Sequence, residues 1–315
     1  MALLLAVFIL ATFGAFYHSE PLRAKTMENI EKISHTVHTS FIDITTSRAE
    51  RSTLDIIVSM YKEDPRDVKQ QIDEILALEP VQNIEEISTV IYVKDPKADV
   101  ERIKAVTNAT EVIQLANLGR EGGTFLTHIV VNWEFLARHT MFIQASMHSF
   151  EDAKNRISDY FVPTTGVLPL GFLEQCECAS CKDPWDEERT FPRLPQLYSA
   201  LNGQMCPKHI TLSYLGQMLV SAKRIQSRPR KIYQHLRAVL ESDMQHFIHD
   251  DPRQDWAFAD DPTEPYFGHT LERSWMLLWG CEDVRILKTC AGWGALGSRR
   301  LDGDADNKCQ CLDKR

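Results

Sequence analysis

The 315-residue chain lacks a net positive charge. Its 35 Lys and Arg residues stand against 44 Asp and Glu, which gives a formal net charge of −9. Proteins that bind nucleic acid usually carry a basic patch or a high pI, so the composition argues against nucleic acid as a partner. The basic runs are short, at Lys223-Arg224 and at 228–231, and they are typical of solvated helix ends.

Several familiar signatures are also missing. The sequence contains neither a P-loop nor the GxGxxG fingerprint of dinucleotide-binding domains. No internal repeat is present, which excludes a solenoid built from repeated units. No Lys or Arg precedes the apolar segment at the N-terminus, so the basic region that usually opens a signal peptide is absent.

The N-terminus instead begins with an uncharged apolar segment, Ala2 to Tyr17. Its length lies just below the roughly 17 residues that the shortest membrane-spanning helices need, and the small residues around Gly14 fit a signal-peptide cleavage site. We interpret residues 1–19 as a signal anchor, with a cleaved signal peptide or a buried helix as alternatives, and the polar residues 20–52 as a stem. This predicts a single-pass membrane protein with a luminal or extracellular domain, or else a secreted protein.

The cysteines fit an oxidising compartment, because there are eight of them, an even number. The candidates for disulfide bonds are Cys176, Cys178, Cys181, Cys206, Cys281 and Cys290. Zinc bound by the first four is the alternative, although Cys-x-Cys is not a standard zinc-ribbon spacing. One glycosylation sequon, Asn108-Ala-Thr110, lies in a predicted loop between a helix and a strand.

Residues 53–297 are predicted to form one α/β domain. Strands at 54–60, 88–93, 111–115 and 140–144 alternate with helices that begin at Asp64-Pro65, begin at Asp95-Pro96 and cover 125–136. Such alternation predicts a mostly parallel sheet with helices on both faces, and ligands bind such sheets at the carboxyl ends of the strands.

The second half of the chain is less regular. Residues 162–212 are predicted to be a Cys-rich insertion, followed by a strand at 214–222, helices at 229–244 and 269–278, and a loose polar tail at 298–315. The tail's run from Asp302 to Asn307 resembles the start of a calcium loop, but it lacks the required glycine and glutamate. We therefore predict no metal site.

A glycine-rich segment between the third strand and the third helix is the first candidate site. Gly119, Gly122 and Gly123 would let the backbone approach a ligand. The helix N-terminus and Arg120 favour an anion such as a phosphate. The alternative is a tight turn in which Arg120 and Glu121 pair for structural reasons.

The second candidate site lies on the last predicted helix. His269, Glu272 and Arg273 are three and four residues apart and share one helix face. A glutamate beside an arginine can act as a general base or bind a substrate; the alternative is a structural salt bridge. At the predicted strand ends, the candidate ligand-binding residues are Glu63, Gln144 and His148.

Several segments resemble a largely fungal family of uncharacterised proteins. They are VSMYKED, NLGREGGTFLTHIVVNW, MFIQASMHSF, GQMLVSAKRI with RPRKIY, and GHTLERSW, and the resemblance covers about residues 53–280. Members usually have Asn where this chain has Lys62, and commonly Gly where it has Ala145. Some members lie in fungal secondary-metabolite gene clusters.

The same pattern is remotely similar to nucleotide-sugar glycosyltransferases with a single Rossmann-like domain. This resemblance implies a glycosyltransferase-like fold, Glu63 at the end of the first strand, and Glu272 as the base. It also implies a nucleotide sugar as donor, with Arg120 and the 119–123 backbone on its diphosphate. The metal-binding Asp-x-Asp of that family has no counterpart in QASMHSF after the fourth strand.

Together these features predict a membrane-tethered luminal glycosyltransferase-like protein that acts on a small-molecule or glycan substrate, in secondary-metabolite or glycan biosynthesis. Two alternatives stay open. One is a non-catalytic binding or scaffold protein that retains the fold. The other is an accessory biosynthetic enzyme of different chemistry.

Overall fold

The computed structural model describes residues 51–183, 186–249, 260–288, 290 and 308–314. The predicted anchor at 1–19, nearly all of the predicted stem and the calcium-like run at 302–307 lie outside these residues. None of the described helices is long and apolar enough to cross a membrane. The described residues belong to one unit of the chain, Arg48–Arg315.

The strands and helices alternate along the first half of the chain. The strands are β1 (Thr53–Met60), β2 (Glu86–Val93), β3 (Glu111–Gln114), β4 (His139–Gln144), β5 (Thr165–Pro169), β6 (Leu173–Glu177), β7 (Lys182–Asp183), β8 (Asp186–Thr190), β9 (His209–Ser213), β10 (Met218–Ser221) and β11 (Cys311–Leu312). The helices are α1 (Pro65–Leu76), α2 (Glu79–Gln82), α3 (Val100–Thr107), α4 (Arg120–Val131), α5 (Phe150–Tyr160), α6 (Leu194–Asn202), α7 (Ala222–Gln226), α8 (Arg230–Leu240), α9 (Tyr266–Arg273) and α10 (Trp275–Leu278).

The main sheet has seven strands in the order β11-β5-β10-β4-β1-β2-β3. β1 pairs in parallel with both β2 and β4, and β2 pairs in parallel with β3. β10 runs antiparallel between β4 and β5, and β11 runs antiparallel to β5. The prediction of a mixed α/β protein with a mostly parallel sheet is therefore confirmed.

The direction of the chain across the sheet reverses after β3. The first two crossovers lead outward from β1 to β3, whereas the crossover through α4 leads back past β1 to β4. Right-handed crossovers place α4 on the opposite face from α1 and α3, and α1 indeed packs against α3 while α4 packs against α8. Ligands bind such sheets where the strand order reverses, which here is the carboxyl edge between β1 and β4.

The first strand and helix form as the sequence predicts. β1 is apolar over nearly its whole length and buried between helices. Asp64 caps α1 by accepting the N–H of Arg66, and Pro65 occupies the first helical position. α1 buries Val68, Ile72 and Ile75 against the sheet, because these residues recur at the spacing of one helix face.

Two predicted element boundaries are wrong. The second helix begins at Val100 rather than at Asp95-Pro96, because Asp95 accepts the N–H of Lys97 within a turn and Asp99 is the cap of α3. The strand predicted at 214–222 is restricted to β10. Leu215 and Gly216, before β10, have φ of 74° and 61°, which turns the chain and prevents strand pairing.

The region 162–212 is more than an insertion. It supplies β5 to the main sheet, forms β6, which pairs with β9, and contains α6. The helix α5 and the strand β5 were absent from the sequence prediction. β5 has only five residues, too few for a clear apolar period. α5 does carry a helical period, with Ala153, Ile157 and Tyr160 buried on one face, and was missed.

All eight cysteines form disulfides: Cys176–Cys181, Cys178–Cys206, Cys281–Cys311 and Cys290–Cys309. The disulfide prediction is confirmed, and the zinc alternative is wrong because its four thiols are bonded to one another. Cys309 and Cys311 were not among the candidates. The tail is not loose over 308–314, because two disulfides and the pairing of β11 with β5 attach it to the domain.

Candidate functional site

Four of the predicted site residues meet at the carboxyl edge of the sheet. Arg120 and Glu121 begin α4, and His269 and Glu272 lie on α9; we call these four residues the polar cluster. A ring nitrogen of His269 lies 2.8 Å from Nη1 of Arg120, and its Nδ1 lies 3.9 Å from Oε2 of Glu272. The side chain of Arg120 is 23% exposed and those of the other three are 12% exposed, so the cluster is largely buried and Arg120 is its most exposed member.

Glu272 is held by the turn that precedes β10. Its Oε1 accepts the backbone N–H of Leu215 at 3.0 Å. A Cβ atom on Gly216 would lie 3.3 Å from Oε1 of Glu121 and 3.5 Å from Cγ of Glu272. The two carboxyl side chains therefore flank Gly216, and a side chain at that position would intrude between them.

The pKa of Glu272 is raised above its ordinary value. Burial is the main cause, and the neighbouring Glu121 adds to it, while Arg273, Arg120 and the N–H of Leu215 act in the opposite direction. A carboxyl group that holds its proton more tightly is a better match for proton transfer near neutral pH than an ordinary glutamate. Such perturbed groups cluster at functional sites.

Arg120 lies among carboxylates. Its Nε is 3.6 Å from Glu121 and its Nη1 is 3.9 Å from Glu264. Burial alone would lower the pKa of Arg120, but Glu121, Glu272 and Glu264 raise it, so the guanidinium stays charged. Within the part of the chain that the structure describes, no group of three or more His, Cys, Asp or Glu residues is arranged to hold a metal ion.

The glycines before and within α4 serve packing. A Cβ atom on Gly119 would lie 2.9 Å from Leu240, and one on Gly122 would lie 3.2 Å from Leu271. The absence of these side chains lets α8 and α9 approach α4 closely. Gly123 is similarly crowded, because its Cβ would lie 2.8 Å from the carbonyl oxygen of Leu118.

Two of the backbone donors at the start of α4 are already used. The N–H of Gly119 donates to the carbonyl of Pro262 at 2.8 Å, and that of Arg120 donates to Thr263 at 3.3 Å. An anion would reach these two donors only by displacing both carbonyls. Binding of a diphosphate by the 119–123 backbone stays a prediction.

Lys94 supports the site, although the sequence analysis did not select it. It directly follows β2 and is 4% exposed. Its Nζ donates to the carbonyl of Leu118 at 2.6 Å and to that of Arg120. Burial lowers its pKa to about 8, against the opposing effect of Glu121 and Glu241. A lysine immediately after a buried apolar strand was the signal that could have identified it.

Arg273 is a structural residue. Its Nη2 lies 2.7 Å from Oδ2 of Asp183, and both side chains are buried. The guanidinium stacks on Phe191 at 4.4 Å and on Tyr214 at 4.9 Å. The salt-bridge alternative therefore describes Arg273, which pairs with Asp183 and, through Nη1 at 3.5 Å, with Oε2 of Glu272; ligand binding by Arg273 stays a prediction.

The predicted residues at the strand ends have different environments. Glu63 accepts the N–H of Tyr61 at 2.6 Å within a turn. His148 is exposed, and its carbonyl accepts from Gln217. Among the described contacts, none joins the side chain of Glu63 or of His148 to the polar cluster.

Gln144 ends β4, the strand that pairs with β10. Its carbonyl accepts from Gln71, while its buried Oε1 has no hydrogen-bond partner. An unpartnered acceptor at the point where the strand order reverses is available to a ligand.

The sequon lies at the surface. Asn108 is exposed and ends α3 with φ of 56°, and Thr110 accepts the N–H of Thr89. The geometry leaves room for a glycan, whose presence stays a prediction.

Comparison with known proteins identifies a family and a similar solved structure. The family model described as "Protein of unknown function (DUF3431)" matches residues 56–292. No curated protein matches the chain. The crystal structure of 4-diphosphocytidyl-2C-methyl-D-erythritol synthase is similar with 11% identity and a TM-score of 0.30, over 73% of this chain and 99% of that chain. A TM-score this low carries no argument about function.

Proposed function

Because the chain belongs to that family of proteins of unknown function, its activity has to be inferred from its own site, and we propose a glycosyltransferase-like enzyme in which Glu272 is the general base. The membership agrees with the resemblance to an uncharacterised family, whose fungal origin stays a prediction. The observation that carries the proposal is the raised pKa of Glu272 within the polar cluster.

The position of the cluster supports a catalytic role. Ligands bind mostly parallel sheets at the carboxyl edge, where the strand order reverses. Gln144 ends β4 at that point, and Glu121 and Glu272 flank Gly216, two residues before β10. Two carboxyl groups in different environments are a common arrangement for acid–base chemistry.

The charges of the cluster indicate which part of a substrate it binds. Arg273 and Lys94 also act on Glu272 and Glu121, but they are held by Asp183 and by the carbonyl of Leu118. Arg120 itself is surrounded by the carboxylates of Glu121, Glu264 and Glu272. They favour a neutral, hydroxyl-rich group over phosphates, because ionised carboxylates only accept hydrogen bonds. We place the acceptor hydroxyl here: its oxygen bonds to the anomeric carbon of the donor sugar as the bond from that carbon to the nucleoside diphosphate breaks, the diphosphate leaves, and Glu272 takes the proton of the hydroxyl.

The proposal also includes the donor substrate and the cellular location. A nucleotide sugar is retained as donor, but its diphosphate is not assigned to the 119–123 backbone. Four disulfides fit a secreted or luminal domain. Tethering through residues 1–19 is proposed on the apolar sequence of that segment alone.

The test combines binding with turnover. The purified full chain is screened by thermal shift against nucleotide sugars and simple glycosides, with and without Mn²⁺, and transfer products are sought by mass spectrometry. A ligand at a hundred times its dissociation constant adds about 2.7 kcal/mol to stability. Glu272→Gln should retain binding and lose transfer, whereas Glu134→Gln, an exposed control, should retain both. Undiminished transfer by Glu272→Gln would overturn the assignment.

A non-catalytic binding protein is the second candidate, and one observation favours it. The cations and donors at this edge are paired internally: Arg120 with Glu121 and His269, Arg273 with Asp183, and the N–H of Gly119 with Pro262. Saturable binding of a glycan without any turnover, at an affinity that Glu272→Gln leaves unchanged, would favour this role.

A further inference from the structure

A second concave region lies away from the polar cluster, between α6 and α8. Phe247, Ile248 and Phe267 close its remaining sides, and its volume is about 400 Å³. We call it the α6–α8 groove. Pockets for small molecules commonly measure about 300–1,000 Å³, so the groove has room for one small ligand.

The lining of the groove is apolar with a basic rim. The apolar side chains that line it include Leu197, Leu201, Ile232, Leu236 and Val239. Its described lining residues include no Asp or Glu, although the whole chain carries a net charge of −9. Lys231 and His235 lie at the rim, exposed and one turn apart on α8. Neither has an ion-pair partner among the described residues.

The wall formed by Phe247 and Ile248 is held by a chain of hydrogen bonds. Oγ of Ser242 donates to the carbonyl of Val239 at 2.7 Å and lies 3.4 Å from Nε2 of His249. Nδ1 of His249 lies 2.9 Å from Oδ1 of Asp260, which also accepts the N–H of Tyr266. These contacts connect the end of α8 to the start of α9, so the groove is formed before any ligand enters.

The outer part of this wall is exposed apolar surface. Phe247 is 62% exposed, and Arg193 lies over its ring at 5.5 Å. A hydrocarbon chain that entered the groove would cover part of this ring. Burial of apolar area is worth roughly 25 cal/mol per Å², which supplies the attraction, while the rim selects the charge of the ligand.

We propose that the α6–α8 groove binds one single-chain anionic amphiphile, with its hydrocarbon chain among the leucines and its anionic head beside Lys231 and His235. The apolar lining fits the hydrocarbon chain, and the basic rim, which has no carboxylate among its described residues, fits the anionic head. The proposal does not depend on the function proposed for the polar cluster. Phe267 lines the groove whereas His269 contacts Arg120, and residues two apart on a helix face opposite sides.

The test uses the delipidated full chain and palmitate, below its critical micelle concentration, with hexadecanol as the uncharged probe. Titration calorimetry should show saturable binding of one palmitate per chain. Ala200→Trp fills the groove from an exposed lining position and should abolish binding; Gln196→Trp is the second blocking variant if the first one unfolds. Lys231→Glu should weaken palmitate about tenfold and hexadecanol little, whereas Lys97→Glu, with the same charge change at a distant exposed site, should change neither.

Three results would overturn the proposal. One is the absence of saturable palmitate binding by the folded protein. Another is binding that both tryptophan variants leave intact, which would place the amphiphile outside the α6–α8 groove. The third is equal affinity for palmitate and hexadecanol together with no effect of Lys231→Glu. It would show that the rim of the groove does not recognise the anionic head.

Discussion

Leu215 donates its backbone N–H to Oε1 of Glu272 at 3.0 Å, from a backbone whose φ is 74°. Positive φ is uncommon for a leucine, and such strain persists only where surrounding contacts enforce it. Here the hydrogen bond joins the turn before β10 to the proposed base on α9. The position of the carboxyl group and the shape of the turn therefore depend on each other.

This hydrogen bond predicts different outcomes for two substitutions of Glu272. Glu272→Gln keeps an oxygen that accepts the N–H of Leu215, so its free energy of unfolding should equal or exceed that of the wild type, because a buried carboxyl beside Glu121 is removed. Glu272→Ala leaves the N–H without its acceptor and should cost about 1–3 kcal/mol. Chemical denaturation measures both, and a stability loss in Glu272→Gln as large as that in Glu272→Ala would contradict the prediction.

Two glycines with a left-handed backbone, one before α4 and one after α6, allow a second comparison. Gly119 and Gly203 have φ of +66° and +63°, but a Cβ on Gly119 would meet Leu240 at 2.9 Å whereas one on Gly203 would meet nothing within 4 Å. Gly203→Ala should cost roughly 1–2 kcal/mol for the left-handed backbone alone. Gly119→Ala should cost about 1–3 kcal/mol more, through overpacking. Equal losses in denaturation experiments would show that Gly119 is not a packing residue.

The order of elements in the first half could be predicted because each signal is local. The Asp64-Pro65 cap and the buried run of β1 are read from neighbouring residues, and the structure has both. Asp95-Pro96 has the same composition as Asp64-Pro65 but forms a turn, since Asp99 provides a competing cap four residues later. Local composition does not decide between two such caps.

The candidate site was predictable only in part. His269, Glu272 and Arg273 share a helix face by spacing, but whether Arg273 faces a ligand depends on Asp183, ninety residues away in sequence. The donors of Gly119 and Arg120 are taken by carbonyls of 262–263, which no local pattern indicates. Lys94 was missed because its importance comes from its hydrogen bonds to carbonyls on a different loop.

The pair formed by Arg273 and Asp183 predicts a large loss of stability. Asp183→Asn removes the nearer of the two carboxylates that face the buried guanidinium, the other being Glu272 at 3.5 Å, and breaking a buried pair typically costs 3–5 kcal/mol. Arg51→Ala breaks a pair of similar length, 2.6 Å to Glu86, that is exposed, and should cost at most about 1 kcal/mol. Chemical denaturation of both variants checks the difference. A loss below about 1 kcal/mol for Asp183→Asn would free Arg273 for the ligand-binding role that the sequence predicted.

Lys94 predicts how stability changes at alkaline pH. Burial lowers its pKa from 10.5 to about 8, so between these values the unfolded chain binds a proton that the folded chain has released. Stability therefore rises with pH across this window, by up to roughly 3 kcal/mol, since one pKa unit corresponds to about 1.4 kcal/mol. Lys94→Met should lack this rise. The variant also loses stability because it cannot make the two hydrogen bonds to the carbonyls of Leu118 and Arg120. The measurement is the free energy of unfolding of the wild type minus that of the variant from pH 7.5 to 10.5. Lys97→Met, at an exposed position in the same loop, should leave the rise in place. A difference that stays flat across the window would mean that Glu121, Glu241 and the two carbonyls fully offset the cost of burying the ammonium group, so that its pKa is not lowered on folding.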